Sequence, residues 1–213
     1  MSGPREPVAV PLPMFPLGTV LFPHMPLALH VFEDRYRALV RDCLRHGHEF
    51  GVVLIERGAE VGGGDSRFGL GTVARIVEAV PFPDGRWELL CLGARRVKVV
   101  TWLPDDPYPL ALVEDRPELP LGEGAKAALD RATAEVRRSL ALAVELGEAP
   151  FPASVQLADD PLVAAHQLAA IAPLGPVDQQ RVLEIDEPEE RLGLLRELAA
   201  EAAGVLAFRL SGA

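Results

Sequence analysis

Lysine is nearly absent from this 213-residue sequence, with Lys98 and Lys126 the only two. A phosphate-cradling loop needs its lysine inside G-x-x-x-x-G-K-[ST], and Gly122-Glu123-Gly124-Ala125-Lys126 does not provide that spacing. Serine is also scarce. None of Ser2, Ser66, Ser139, Ser154 and Ser211 lies in the G-x-S-x-G turn that presents a hydrolase nucleophile. Only two cysteines occur, Cys43 and Cys91, with no C-x-x-C, so no redox or zinc motif is present. Both sit among apolar residues and are expected as buried free thiols rather than a disulfide. No uncharged apolar run approaches the roughly 18 residues of a membrane span. The opening Met-Ser-Gly-Pro-Arg-Glu-Pro has no apolar core, so no signal peptide is expected and the location expected is cytoplasmic.

The apolar and charged shares, 49% and 24%, are those of a globular protein with one large or two small domains. A chain of this size can bury roughly 70% of its unfolded surface. The net charge is −10 and uneven: residues 1–120 hold 13 basic and 16 acidic side chains, and the remainder 8 and 15. An acidic chain repels phosphate backbones, which argues against nucleic acid as a partner. Arg95, Arg96 and Lys98 are close in sequence and are expected to form a solvated strand edge.

Residues 8–116 read as mostly β with one helix. Phe50–Glu56, Thr72–Val80, Trp87–Leu92, Val97–Trp102 and Tyr108–Glu114 are short apolar or alternating runs that predict strands, with a break at Gly93-Ala94. Pro81–Gly85 carries turn residues, with Asp84-Gly85 as the reversal point. Such spacing suggests a barrel or sandwich rather than a parallel sheet. Tyr36, Leu39, Val40, Cys43 and Leu44 recur at helical spacing, with Asp34 expected to cap that helix and Gly47 to end it. After a proline-rich linker at Arg116–Gly122 the sequence becomes rich in Ala, Leu and Glu. Helices are predicted over Glu123–Leu146, Pro161–Ala172, Pro176–Glu184 and Pro188–Phe208. Asp160-Pro161 and Glu187-Pro188 fit a cap followed by proline at the first helical position. The fold class expected is α+β: a β domain over 8–116, then a helical bundle over 122–210.

Several motifs fail on context. Gly69-Leu70-Gly71-Thr72-Val73-Ala74 matches G-x-G-x-x-[GA], but a glycine-rich loop at Gly62–Gly64 precedes it and a β-branched run follows. The dinucleotide turn requires a strand before and a helix after, so the glycines read as loop geometry or close packing in the sheet. His46 and His48 flank Gly47, where a helix ends, and would not share a ligating face. His24 and His30 fall near turns or strand ends without neighbouring ligand residues. His166, on a predicted helix, reads as surface or half-buried. Asp159, Asp160, Glu189 and Glu190 fall at helix starts, where carboxylates suit the helix dipole. No catalytic residue, metal ligand or cofactor site is therefore predicted.

The stretch Leu12–Val40, LPMFPLGTVLFPHMPLALHVFEDRYRALV, resembles the opening of the Lon substrate-binding (Lon N-terminal) domain. Matching positions are Leu12, Pro13, Phe15, Pro16, Leu17, Phe22, Pro23, Pro26, Leu27, Phe32, Glu33, Arg35 and Tyr36. A second block agrees at Gly71-Thr72-Val73-Ala74-Arg75-Ile76, Pro83-Asp84-Gly85, Gly93 and Arg96. A third, Asp178–Leu195, has Gln179 where the family commonly has lysine. The resemblance implies a PUA-like β-barrel followed by a helical bundle. It further implies a non-catalytic module that recognises protein substrates, since the ATPase and protease modules of full-length Lon proteases, with their phosphate loop and Ser-Lys pair, have no counterpart before Ala213. The partners implied are unfolded or exposed apolar protein segments, with a protease or chaperone as a further partner. Phe82 and Trp87, aromatics at a turn, are candidate contacts, and Glu33, Arg35 and Tyr36 follow from the family motif. The competing readings are an RNA-binding PUA-like module and a hydrolase acting alone.

Overall fold

The computed structural model describes residues 9–58, 66–149 and 151–212. The described residues divide into two compact units that meet at Pro117 and Glu118. The glycine-rich stretch Gly62–Gly64 lies outside the described residues.

The first unit runs β1 (Val10–Leu17), β2 (Pro26–Val31), α1 (Asp34–Arg45), β3 (Glu49–Arg57), β4 (Ser66–Pro81), β5 (Trp87–Leu103) and β6 (Leu110–Arg116). The strands form one mixed sheet in the order β2-β5-β4-β3-β1-β6. β1 and β3 are parallel and every other pair is antiparallel. Because β5 also pairs with β6, the strands β1, β3, β4, β5 and β6 close a cycle that β2 stands outside.

Side-chain alternation sorts the apolar residues onto the two faces of this sheet. Met14, Val53, Val73, Val97, Ala111 and Val113, at least one from each cycle strand, converge in one buried cluster that receives nothing from β2. The opposite face meets α1. There Phe15, Leu17, Val31, Phe50, Ile76, Leu89 and Cys91 pack on the helix stripe of Tyr36, Leu39, Val40 and Cys43. Phe15 and Tyr36 stack with centroids 4.0 Å apart. Burial pushes both thiols up to about 12, so at neutral pH they pack as small apolar side chains. Tyr108 fastens the loop before β6 to α1 by donating its hydroxyl to Asp42 (2.9 Å).

Three expectations for this unit are corrected. β5 is one continuous strand, not two. Gly93 does not break it; a Cβ there would stand 2.2 Å from the Phe22 carbonyl oxygen, so the glycine admits the crossing of the β1–β2 loop. Gly71, within β4, has the close-packing role, one of the two that its sequence context allows, since a Cβ there would strike the Val52 carbonyl. Asp34 does not cap α1. Glu33 occupies the cap position without a capping bond, and Asp34 pairs with Arg37 at 2.8 Å. Arg96 is not part of a solvated edge but fully buried, whereas Arg95 bonds Glu49 (2.7 Å) and Asp115 (2.8 Å).

The second unit holds α2 (Ala125–Glu145), α3 (Pro161–Ile171), α4 (Pro176–Glu184) and α5 (Pro188–Leu210). Small residues on α2, including Ala128, Ala132 and Ala143, are buried where α2 packs on α5, whose Leu192, Leu195 and Leu206 are buried. Asp160 caps α3 by accepting from the Leu162 and Val163 amides (2.9 and 3.1 Å). Glu187 stands at the cap position of α5 but makes no such bond. His166 is fully buried, where the sequence predicts a surface or half-buried position. Its Nε2 lies 3.3 Å from Glu118, which also accepts from Arg191 (3.0 Å). Arg191, itself buried, further donates to the Ile185 carbonyl through two nitrogens (3.0 and 2.8 Å), pinning the α4–α5 turn. A guanidinium buried this deeply is tolerable only because carboxylate and carbonyl oxygens surround it.

Candidate functional site

β2 has one edge unpartnered along its whole length. Among the described residues it pairs only with β5, over Pro26↔Leu92 to Val31↔Trp87. The Gly93 amide donates to the Met25 carbonyl (2.9 Å), which sets the antiparallel alternation that follows. Leu27, Leu29 and Val31 therefore direct their peptide groups to β5, and Ala28 and His30 direct theirs to the open edge.

Two concavities border this strand. Along its inner side a pocket of about 190 Å³ runs from Ala28 to Glu33, with Phe15, Leu17 and Tyr36 among its lining residues. On the outer face the register aligns Ala28 with Leu90 and Leu90 with Glu78, and the adjacent pairs are His30 with Glu88 and Glu88 with Val80. These residues line a groove of about 440 Å³. Val80, Leu90 and Leu92 are each more than 40% exposed, as is Val77 at the β4 irregularity, so this part of the sheet presents apolar side chains to solvent.

An aromatic cluster stands at the far end of β2. His30 lies 6.4 Å from Phe32 and 6.3 Å from Phe82, and Arg86 lies 5.7 Å above the Phe82 ring. The Pro81–Gly85 segment forms the turn, closed by the Phe82 amide on the Arg86 carbonyl (2.9 Å). Asp84 accepts from the Arg86 amide and side chain (3.1 and 2.7 Å), and these bonds, the main-chain one first, hold its carboxyl below the usual range.

The five residues singled out from the sequence fall around this strand in two groups. Phe82 and Trp87 flank the turn, Phe82 half-exposed and Trp87 half-buried against the α1-side core. Glu33, Arg35 and Tyr36 stand at the start of α1. Glu33 and Arg35 pair at 3.0 Å, and the guanidinium lies 4.4 Å over the buried Tyr36 ring. Glu33 and Tyr36 line the inner pocket; Arg35 does not. Sequence reasoning missed Phe32, 52% exposed, along with Ala28, His30 and Leu90. The run Leu89-Leu90-Cys91-Leu92 carried the signal: an apolar strand without alternation has either both faces buried or one left open.

A larger cavity, about 540 Å³, lies in the second unit among Leu140, Phe151, Ile171, Val205 and Leu206. The Glu148–Arg209 ion pair is also part of its wall. It is bounded by helices and offers no strand edge, so volume alone does not make it the better site. Among the described residues no group of three or more His, Cys, Asp or Glu side chains is placed to hold a metal, and no helix is long and apolar enough to cross a membrane.

Residues 11–201 match the family model described as the ATP-dependent protease La (LON) substrate-binding domain. The chain belongs to this family. It is 29% identical over 199 residues to Lon protease 2 of Herpetosiphon aurantiacus, an alignment covering 92% of this chain and 24% of that protein. The chain thus spans about a quarter of the length of such curated relatives. A crystal structure of a Lon N-terminal domain protein from Xanthomonas campestris aligns with a TM-score of 0.61 at 30% identity, covering 87% of this chain and 96% of that one. The N-terminal domain of a Mycobacterium avium complex Lon protease shares the fold, with a TM-score of 0.65 at 17% identity over 90% of this chain and 99% of that one. The sequence blocks at 12–40 and 71–96 thus lie in a Lon substrate-binding domain whose sheet leaves β2 open at one edge.

Proposed function

We propose that this Lon-family domain is a non-catalytic recognition module that captures exposed apolar segments of unfolded proteins, and that the open edge of β2 is where it does so. The observation that carries this reading is the coincidence of three features on six residues. Peptide groups of Ala28 and His30 point outward, an apolar pocket lies on one side, and an apolar groove lies on the other. An extended segment added to β2 would satisfy those peptide groups, while its side chains alternate between pocket and groove. Phe82 and Phe32 would contact it at the turn end, and Glu33, Arg35 and Tyr36 would shape the pocket wall. Trp87 would act from beneath, holding the end of β5. A folded protein keeps most of its apolar strands paired and buried, so capture would favour unfolded chains over native ones.

The closed strand cycle and the four helices support a PUA-like barrel over 8–116 and a helical bundle over 122–210. A protease or chaperone would be the consumer of what the module captures, in the cytoplasm. The test is binding of a labelled model protein, once reduced and alkylated so that it stays unfolded and once native. The module is expected to bind the first and ignore the second; equal binding to both, or to neither, overturns the reading.

A further inference from the structure

The groove on the outer face of β2 and β5 is apolar in its floor but acidic in its wall. Ala28 and Leu90 are opposite one another, and Ala28 is the small residue that leaves the trough open. Glu78 and Glu88 stand diagonally across β4 and β5 on the same face. Arg86, which approaches His30 at 3.4 Å, is engaged by Asp84 (2.7 Å), and no arginine is among the residues lining the groove. Glu78 and Glu88, by contrast, have no lysine or arginine partner among the described residues. The nearest cationic candidate is His30, 3.9 Å from Glu88. Two carboxylates without a lysine or arginine partner, beside an apolar trough, suit a side chain with an apolar stem and a positive head.

We propose that the segments this site selects are both apolar and basic, with lysine or arginine alternating with large apolar residues along an extended strand. This inference rests on the reading that β2 pairs with a captured segment, and it names which segments. On a strand added to β2, side chains of one parity enter the inner pocket beside Phe15 and Tyr36 and are apolar. Those of the other parity lie across Ala28. A lysine or arginine there lays its methylenes on Ala28 and Leu90 and carries its charge toward Glu88 and Glu78. An acidic side chain at the same place meets like charge in a trough that offers it no partner. The chain's net charge of −10 favours cationic partners in general, so the test must separate these two carboxylates from bulk charge.

Three labelled peptides of equal length, alternating leucine with lysine, serine or glutamate, are titrated against the full chain by fluorescence anisotropy. The lysine peptide is expected to bind tightest and the glutamate peptide weakest. The E78Q/E88Q variant should weaken the lysine peptide roughly three- to tenfold, as loss of two exposed charge pairs does, and leave the serine peptide unchanged. An E197Q/E201Q variant removes the same charge from the exposed face of α5 and should keep the preference. Equal affinities for the three peptides overturn the basic preference and leave segment capture standing. An equal loss in both double variants also overturns it, because the preference is then bulk charge. If none of the peptides binds, capture at β2 falls together with it.

Discussion

The Arg191 cluster of the helical unit and the β2 edge of the sheet unit treat their polar groups in opposite ways. In the helical unit Arg191 is buried, yet oxygens of Glu118 and Ile185 meet its guanidinium, and His166 closes the group. In the sheet unit, peptide groups of β2 and the carboxylates of Glu78 and Glu88 are left facing solvent. A buried group must be satisfied within the fold because no water can serve it. An exposed group costs nothing in the free protein and can be satisfied by whatever docks. The contrast separates polar groups satisfied within the fold from polar groups that face solvent, and β2 and its neighbours hold the latter.

The largest effect should come from the first class. Arg191→Met leaves Glu118 and His166 without their central partner and is expected to destabilise the helical unit by about 3–5 kcal/mol. Urea unfolding followed by circular dichroism measures it; a loss under about 1 kcal/mol would mean the network contributes little. The second class should behave differently. Ala28→Pro removes an outward N–H and adds a ring at the open edge without removing a ladder bond to β5. Capture of an unfolded protein should fall by about tenfold or more, the cost of losing a strand-pairing bond and its neighbours, while the melting temperature changes little. Retained capture would place recognition elsewhere.

A smaller, graded loss is expected at the turn. Phe82→Ser should weaken capture several-fold through lost apolar contact, about 1 kcal/mol, with the fold intact. Trp87→Ser should instead lower stability, since Trp87 packs on the core. If both variants act only on stability, the aromatic cluster is structural. The smallest effect concerns Glu49. Burial alone would raise its carboxyl, but hydrogen bonds and charge from Arg95 and Arg75 outweigh it and hold the group below its usual value. A depressed folded pKa means stability that is complete above the unfolded value of about 4.3 and lost as pH falls through the folded one. Wild type should therefore exceed Glu49→Gln by about 1 kcal/mol at pH 7, and the two should converge in acid. A gap that persists at pH 2.5 would assign the effect to packing.

Much of the fold was legible in the residues. Pro176–Glu184 is a helix with the bounds its sequence predicts, and Asp160 caps α3 as its position before Pro161 implies. The stripe from Tyr36 to Cys43 is buried as its spacing requires. β1 was not legible. Pro11, Pro13 and Pro16 deny it the pattern of a strand, yet it pairs with β6 over Val10–Pro13 and with β3 over Met14–Leu17, so each half needs donors toward one partner strand only. The break expected at Gly93 failed because a glycine signals a turn and a close backbone approach with the same letter. For the site, Phe82 and Trp87 were identified as aromatics at a turn, but Phe32, His30 and Leu90 reach the same place only through strand pairing.

The sequence by itself determined the division into a β-rich and a helical part, the helix positions, and membership of the Lon substrate-binding domain family. Those rest on local periodicity, capping residues and ordered short motifs, which neighbours along the chain encode. Only the tertiary structure decided that β2 stands outside the strand cycle with one edge open, that Glu78 and Glu88 share its groove, and that Arg96, His166 and Arg191 are buried. Pairing partners and burial depend on residues far apart in the chain, and no local pattern records which edge is left without a neighbour.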